Sequence, residues 1–284
     1  LLSAADQDEG SREALREIRR RWQTYGLWST PSLPRGQIDT DALLVSFPRA
    51  GSNFLQNVIT SVFGGTSISM YEAWPDDQTR FRTIKSHAPT PAYLEEECDR
   101  HLSTRLANKP CLLLLRDPRD LIISFFEYTQ TKLNCKIDQG SFLESTDYFL
   151  ASTIDLGYQR RSILKPLSIK SAINTFHKTW SKAIAARRRP IATIYFADLV
   201  ANPRKQAEAI ATFLDWEPID NRSISDSFEL VSQVSTETKR ERGRPNSWRQ
   251  AKEHYSQLLE SAHSQISESI ELFNSQSSFV NTGD

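Results

Sequence analysis

The stretch ALLVSFPRAGSNFLQNVITSVF, residues 42–63, is the one from which the fold is read. Its apolar run, Ala42 to Val45 and then Phe47, predicts a buried strand. The loop Pro48-Arg49-Ala50-Gly51-Ser52-Asn53 breaks that strand. From Phe54 the period changes: Phe54, Leu55, Val58, Ile59, Val62 and Phe63 fall at helical spacing, and Gly64-Gly65 stops the run. A strand, a glycine-containing loop and a helix together make a cradle for a phosphate. The loop turns its amides inward, and the helix N-terminus adds partial positive charge. Arg49 supplies a full charge, and Ser52 and Asn53 supply side-chain donors. The loop is not a Walker A motif, because the cation precedes the glycine and no lysine follows it. An ordinary strand-to-helix turn could carry the same residues, so the rest of the chain has to discriminate.

A chain of 284 residues can bury a sizeable core as one large domain or two small ones. Lys+Arg and Asp+Glu are both 35, which argues against a general nucleic-acid or membrane-surface binder. Cys98, Cys111 and Cys135 are few, odd in number and without metal-ligand spacing; they fit a reducing, cytoplasmic setting. No run reaches the roughly 18 apolar residues of a membrane span, and no signal-peptide pattern is visible. The chain starts at Leu1 rather than Met, which leaves room for a leader or a neighbouring domain ahead of it.

Strand and helix patterns alternate along the sequence. Residues 11–22 predict a surface helix, and 30–36 a proline-rich connector. Residues 66–77 show no clear period. Phe81 to Ile84 predicts a second strand, running into Lys85-Ser86-His87-Ala88-Pro89. Tyr93 to Leu106 is a mixed helical stretch. Cys111 to Leu115 is the most apolar short run and predicts a central parallel strand, ending in Arg116-Asp117-Pro118-Arg119-Asp120. Pro118 suits a first helical turn with Asp117 as its cap, and the helix continues over 121–131. One helix is expected over 141–151. From Ser168, the residues Ile169, Ile173, Phe176, Trp180 and Ile184 repeat at helical spacing, with Arg187-Arg188-Arg189 in the last turn and Pro190 as a stop. Ile191 to Phe196 predicts a fourth strand, and 203–214 a helix. Residues 221–246 are polar and basic, as in a functional lid or a linker, and 248–273 form a closing helix.

This alternation implies an α/β fold: a three-layer sandwich with a central parallel sheet, in one domain spanning 1–284. Ligands of such sheets sit beyond the carboxyl ends of the strands. Arg49, Lys85, His87 and Arg116 all fall there.

The chain resembles the sulfotransferases that use 3′-phosphoadenosine 5′-phosphosulfate (PAPS). FPRAGSNF resembles their 5′-phosphosulfate loop, RTIKSHAP their histidine segment, LLLLRDPRDLIISFFEY their 3′-phosphate segment, and RERGRPNSWRQ their late basic segment. IYFADLVANP resembles the strand and turn that precede the last of these. The resemblance implies sulfuryl transfer to a hydroxyl or amine of a small acceptor, with release of adenosine 3′,5′-bisphosphate (PAP) and no metal. It implies His87 as base, Lys85 and Arg49 as charge stabilisers, and Arg49, Ala50, Gly51, Ser52 and Asn53 around the 5′-phosphosulfate. Arg116 and Ser124, eight residues apart, would hold the 3′-phosphate with Arg242 and Gly243. Phe54, and more weakly Phe228 and Trp248, would meet the adenine. The family's usual lysine in the first loop is here Arg49, and the often-basic position two before Gly243 is Glu241. Glu127 lies where some relatives carry a histidine, and is a reserve base.

Plainer readings stand beside these. His101, His177, His254 and His263 read as solvated or half-buried, Trp180 as core, and Arg187 to Arg189 as a solvated helix end. A small-molecule kinase is the enzymatic alternative, opposed by the missing Walker lysine. A non-catalytic nucleotide-binding scaffold is the third reading. Neither nucleic acid nor membrane is expected as a partner, and neither the acceptor nor the oligomeric state is legible.

Overall fold

The computed structural model describes residues 38–70, 80–101, 108–133, 153–154, 167–218, 247–250 and 252–280. Strand β1 (Asp39–Ser46) takes the centre of the sheet because it can be buried on both faces: Ala42 to Val45 are all fully buried. It is followed by α1 (Ser52–Phe63), β2 (Ser67–Ser69), β3 (Arg80–Ser86), α2 (Pro91–His101), β4 (Cys111–Leu115) and α3 (Pro118–Leu133). Then come β5 (Thr153–Ile154), β6 (Leu167–Ser168), α4 (Ile169–Ala186), β7 (Ile191–Tyr195), α5 (Phe196–Ala201), α6 (Pro203–Leu214), α7 (Ser247–Gln250) and α8 (Lys252–Val280).

Five strands form one parallel sheet in the order β2-β3-β1-β4-β7, flanked by helices, as the alternating pattern implies. The register aligns Val45 with Ser86, Ser46 with Leu114 and Leu115 with Tyr195. It therefore brings the segments after β1, β3, β4 and β7 to one edge. From β1 the chain goes out to edge strand β2, returns to β3 beside β1, and then crosses to β4 and β7 on the other side. The crevice at that reversal is where ligands of such sheets sit.

Arg82 on β3 closes the end of α1. Its guanidinium donates to the carbonyls of Phe63 (2.9 Å) and Gly64 (3.3 Å), pairs with Asp41 at 2.9 Å, and lies 4.9 Å from the centre of the Trp216 ring. It thus satisfies carbonyls that a helix terminus otherwise leaves open.

Some elements differ from the sequence reading. Edge strand β2 falls where no period was visible, because three residues are too few to show one. The two-residue pair β5–β6 is antiparallel and was equally unreadable. Helix α4 is capped by Ser168, whose Oγ accepts from the Ser171 amide at 3.2 Å. It ends at Ala186, with Arg187 left-handed at φ 50°, so Arg187 to Arg189 lie past the helix rather than in its last turn. His177 is 2% exposed instead of half-solvated: it packs edge-on to Phe176 and Phe273, and burial pulls its pKa down to about 4. Trp180 is core, at 1% exposure, and His263 is exposed, both as read. The helices expected over 11–22 and 141–151, and the basic stretch 221–246, lie outside the described residues. Among the described residues no helix is long and apolar enough to cross a membrane.

Candidate active site

His87 lies just beyond β3, next to the end of β1, because the register that pairs Val45 with Ser86 carries Ser46 alongside it. Its Nδ1 is 2.8 Å from the Ser46 carbonyl oxygen, with Ser46 Oγ at 3.3 Å. A carbonyl can only accept, so Nδ1 carries the proton and Nε2 presents its lone pair. Burial, and then the nearby Lys85 ammonium, push the His87 pKa down to about 3, against the pull of the Ser46 bond. The imidazole is therefore neutral and fixed in the tautomer a general base needs. The turn behind it is held from two sides. Ser86 Oγ accepts from the Ala88 amide at 3.0 Å. From α4, Trp180 Nε1 donates to the Ala88 carbonyl (3.2 Å) and Thr179 Oγ1 to the Pro89 carbonyl (3.0 Å).

The loop between β1 and α1 turns through two positive-φ residues, Arg49 at 70° and Gly51 at 101°. Ala50 is fully buried and its amide bonds the Phe47 carbonyl at 3.1 Å. Ser52 opens α1 at 5% exposure, and Asn53 Oδ1 accepts from Lys85 Nζ at 2.5 Å, which ties the loop to β3. A Cβ on Gly51 would come within 2.5 Å of the Phe196 ring. Phe196 also meets Phe54 edge-on at 6.2 Å and lies 4.9 Å below the Arg116 guanidinium. Gly51→Ala should cost about 2–5 kcal/mol, from positive φ and overpacking together. Denaturant unfolding measures this, and an unchanged midpoint would mean that the loop is not packed on Phe196.

Arg116 follows β4 and is 4% exposed. Its Nη1 donates to the Arg49 carbonyl at 3.0 Å, so the two arginines belong to one site. Burial holds its guanidinium below the ordinary pKa; Asp120, Asp117 and Glu127 oppose that, and Arg49 adds to it. Asp117 caps α3 as expected, with Oδ1 accepting from the Arg119 amide at 2.8 Å. Ser124 sits on the second turn of α3 at 4% exposure. Trp248 packs near this region through Arg119, whose Cζ lies 3.8 Å from the indole centre. Phe228, Arg242 and Gly243 lie outside the described residues.

The structure thus brings Arg49, Gly51, Ser52, Asn53, Lys85, His87, Arg116 and Ser124 to one edge of the sheet. Glu127 is on α3 and accepts from the Tyr255 hydroxyl at 3.0 Å. Four contributors escaped the sequence reading: Ser46, Phe196, Asp120 and Tyr255. Phe196 carried the one available signal, an aromatic at the end of a buried strand.

A family model for the sulfotransferase domain matches residues 39–268. Sulfotransferase 6B1 of the chimpanzee, Pan troglodytes, is 23% identical over 212 residues, 70% of this chain; the chain spans 64% of that relative's length. Two solved structures are similar in outline. A mouse sulfotransferase, SULT7A1, complexed with PAP is 15% identical at TM-score 0.49, over 76% of this chain and 68% of the other. A retinol dehydratase in complex with androsterone and inactive cofactor PAP is 14% identical at TM-score 0.48, over 91% and 85%.

Proposed function

The chain belongs to the sulfotransferase family, and on that footing we propose that it moves a sulfuryl group from PAPS to a hydroxyl or amine of a small organic acceptor, releasing PAP. The observation that carries this reading is the shared site of two cationic segments and a base. Arg116 donates to the Arg49 backbone at 3.0 Å, while His87 is locked on Ser46 through Nδ1.

The residues present fit a doubly phosphorylated nucleotide. The loop turns through positive φ at Arg49 and Gly51, and buried Arg116 with Ser124 offers charge-assisted donors. When bound, PAPS supplies a sulfuryl group on an oxygen that gains negative charge as it leaves. The amides of Gly51 to Asn53 would hold the 5′-phosphate, with Arg49 beside the oxygen that gains charge. Lys85, held at Asn53, would neutralise the sulfuryl oxygens. His87 Nε2 would take the acceptor's proton. Arg116 and Ser124 would grip the 3′-phosphate, joined by Arg242 and Gly243; Phe54, and more weakly Phe228 and Trp248, would flank the adenine. A cytoplasmic setting, a single domain over 1–284 and a lid over 221–247 complete the proposal. The kinase alternative has no support, because Ser52 rather than lysine follows Gly51.

Titration calorimetry tests the reading. PAP should bind without magnesium, and added magnesium should not tighten it. Absence of PAP binding, or binding of ATP only with magnesium, would overturn it.

A further inference from the structure

The face of α3 that carries Ser124 is zipped to the C-terminal helices. Asp120, Ser124 and Glu127 are spaced four and three apart, so they share one face of α3. Asp120 Oδ1 accepts from the Trp248 amide at 2.9 Å, and Glu127 Oε1 from the Tyr255 hydroxyl at 3.0 Å. Both contacts span 128 residues, so α3 and the α7–α8 segment run side by side in the same direction. The two rungs are about two helical turns apart, with Ser124 between them. Each rung is braced by an aromatic contact: Arg119 over the Trp248 ring at 3.8 Å, and Phe126 edge-on to Tyr255 at 6.3 Å. At Tyr255 itself α8 leaves helical geometry, with φ −117° and ψ 21°. The helix is deformed at the residue that reaches Glu127.

We propose that Tyr255 and Trp248 set how strongly the Glu127 and Asp120 carboxylates compete with a phosphate for Arg116. This rests on the reading of Arg116 as a 3′-phosphate ligand. Before the donor arrives, the carboxylates compensate a buried guanidinium that would otherwise stand beside Arg49 in a low dielectric. A phosphate must then share Arg116 with them. A hydrogen bond from Tyr255 engages one Glu127 oxygen from the side of α8, and so limits its hold on the guanidinium. Tyr255 on α8 tunes donor affinity in this way without touching the donor.

The test is a double-mutant cycle read by PAP titration, with thermal unfolding of each variant alongside. Tyr255→Phe keeps the ring against Phe126 and removes only the hydroxyl; it should weaken PAP about fivefold to tenfold. Adding Glu127→Gln to that variant should return affinity to wild type or better, because the competing charge is gone. A lost packing contact would not be rescued in this way. Unchanged PAP affinity in Tyr255→Phe, or a double variant as weak as the single one, would overturn the proposal. If Tyr255→Phe does not fold, Glu127→Gln alone decides: tighter PAP binding supports the proposal, and equal or weaker binding rejects it. Wild type that binds no PAP would bring down the reading of Arg116 and this inference with it. Wild type that binds PAP through Arg116, with no coupling in the cycle, would bring down this inference alone.

Discussion

His87→Ala is expected to lower kcat by about 10²–10⁴-fold while PAP still binds with near wild-type affinity. The imidazole is not part of the phosphate cradle; it hangs on the Ser46 carbonyl at 2.8 Å and points Nε2 away from that bond. Removing it takes away the proposed proton acceptor and leaves Arg49, Lys85 and Arg116 in place. The pH profile should report the same group. In the donor-free protein burial and Lys85 hold His87 down at about 3, so NMR titration should show a neutral imidazole from pH 8 down to about 4. The sign for stability follows. Below the ordinary histidine pKa near 6.5 the unfolded chain binds a proton that folded His87 refuses, so the fold loses stability as pH falls towards 3. His177, held at about 4, adds to the same acid limb. Turnover of His87→Ala within a few-fold of wild type would exclude it as base and move that role to Glu127.

Arg116→Ala should raise the donor's KM by on the order of 10²–10³-fold, with the acceptor's KM nearly unchanged. Two effects add. The 3′-phosphate loses a charge-assisted fork, and Asp120, Asp117 and Glu127 lose the cation that balances them. Arg116→Lys separates these effects: it restores charge but not the planar fork, and should recover only part of the affinity. Initial-rate kinetics with each substrate varied in turn makes the distinction. Equal increases in both KM values would mean general damage to the site and would reject a 3′-phosphate role.

Much of this site could be read from residue order because the chemistry is local. A strand, a turn with Gly51 and a helix are contiguous, and Arg116 with Ser124 spans only two helical turns. The buried strand Cys111–Leu115 was legible because a parallel strand covered on both faces must be apolar throughout. The failures have equally physical causes. His177 looked solvated because a single polar residue on a helix carries no sign of what packs over it; Phe273, nearly a hundred residues later, does that. The tie of Glu127 to Tyr255 was not legible, because the two lie 128 residues apart.

From the amino-acid order alone came the α/β class, the phosphate-type loop at Arg49 to Asn53, the family, and the cations and histidine at the strand ends. The class and the loop follow from periodicity and short-range turn chemistry, and the family from the resemblance of short contiguous motifs. Folding in three dimensions decided the rest. The tautomer of His87 depends on a carbonyl from β1, the closeness of Arg49 to Arg116 on the β1–β4 register, and the tying of Asp120 and Glu127 on the two helices that arrive last. Each is a contact between distant segments, and its geometry is set by packing of the whole core rather than by any neighbour in sequence.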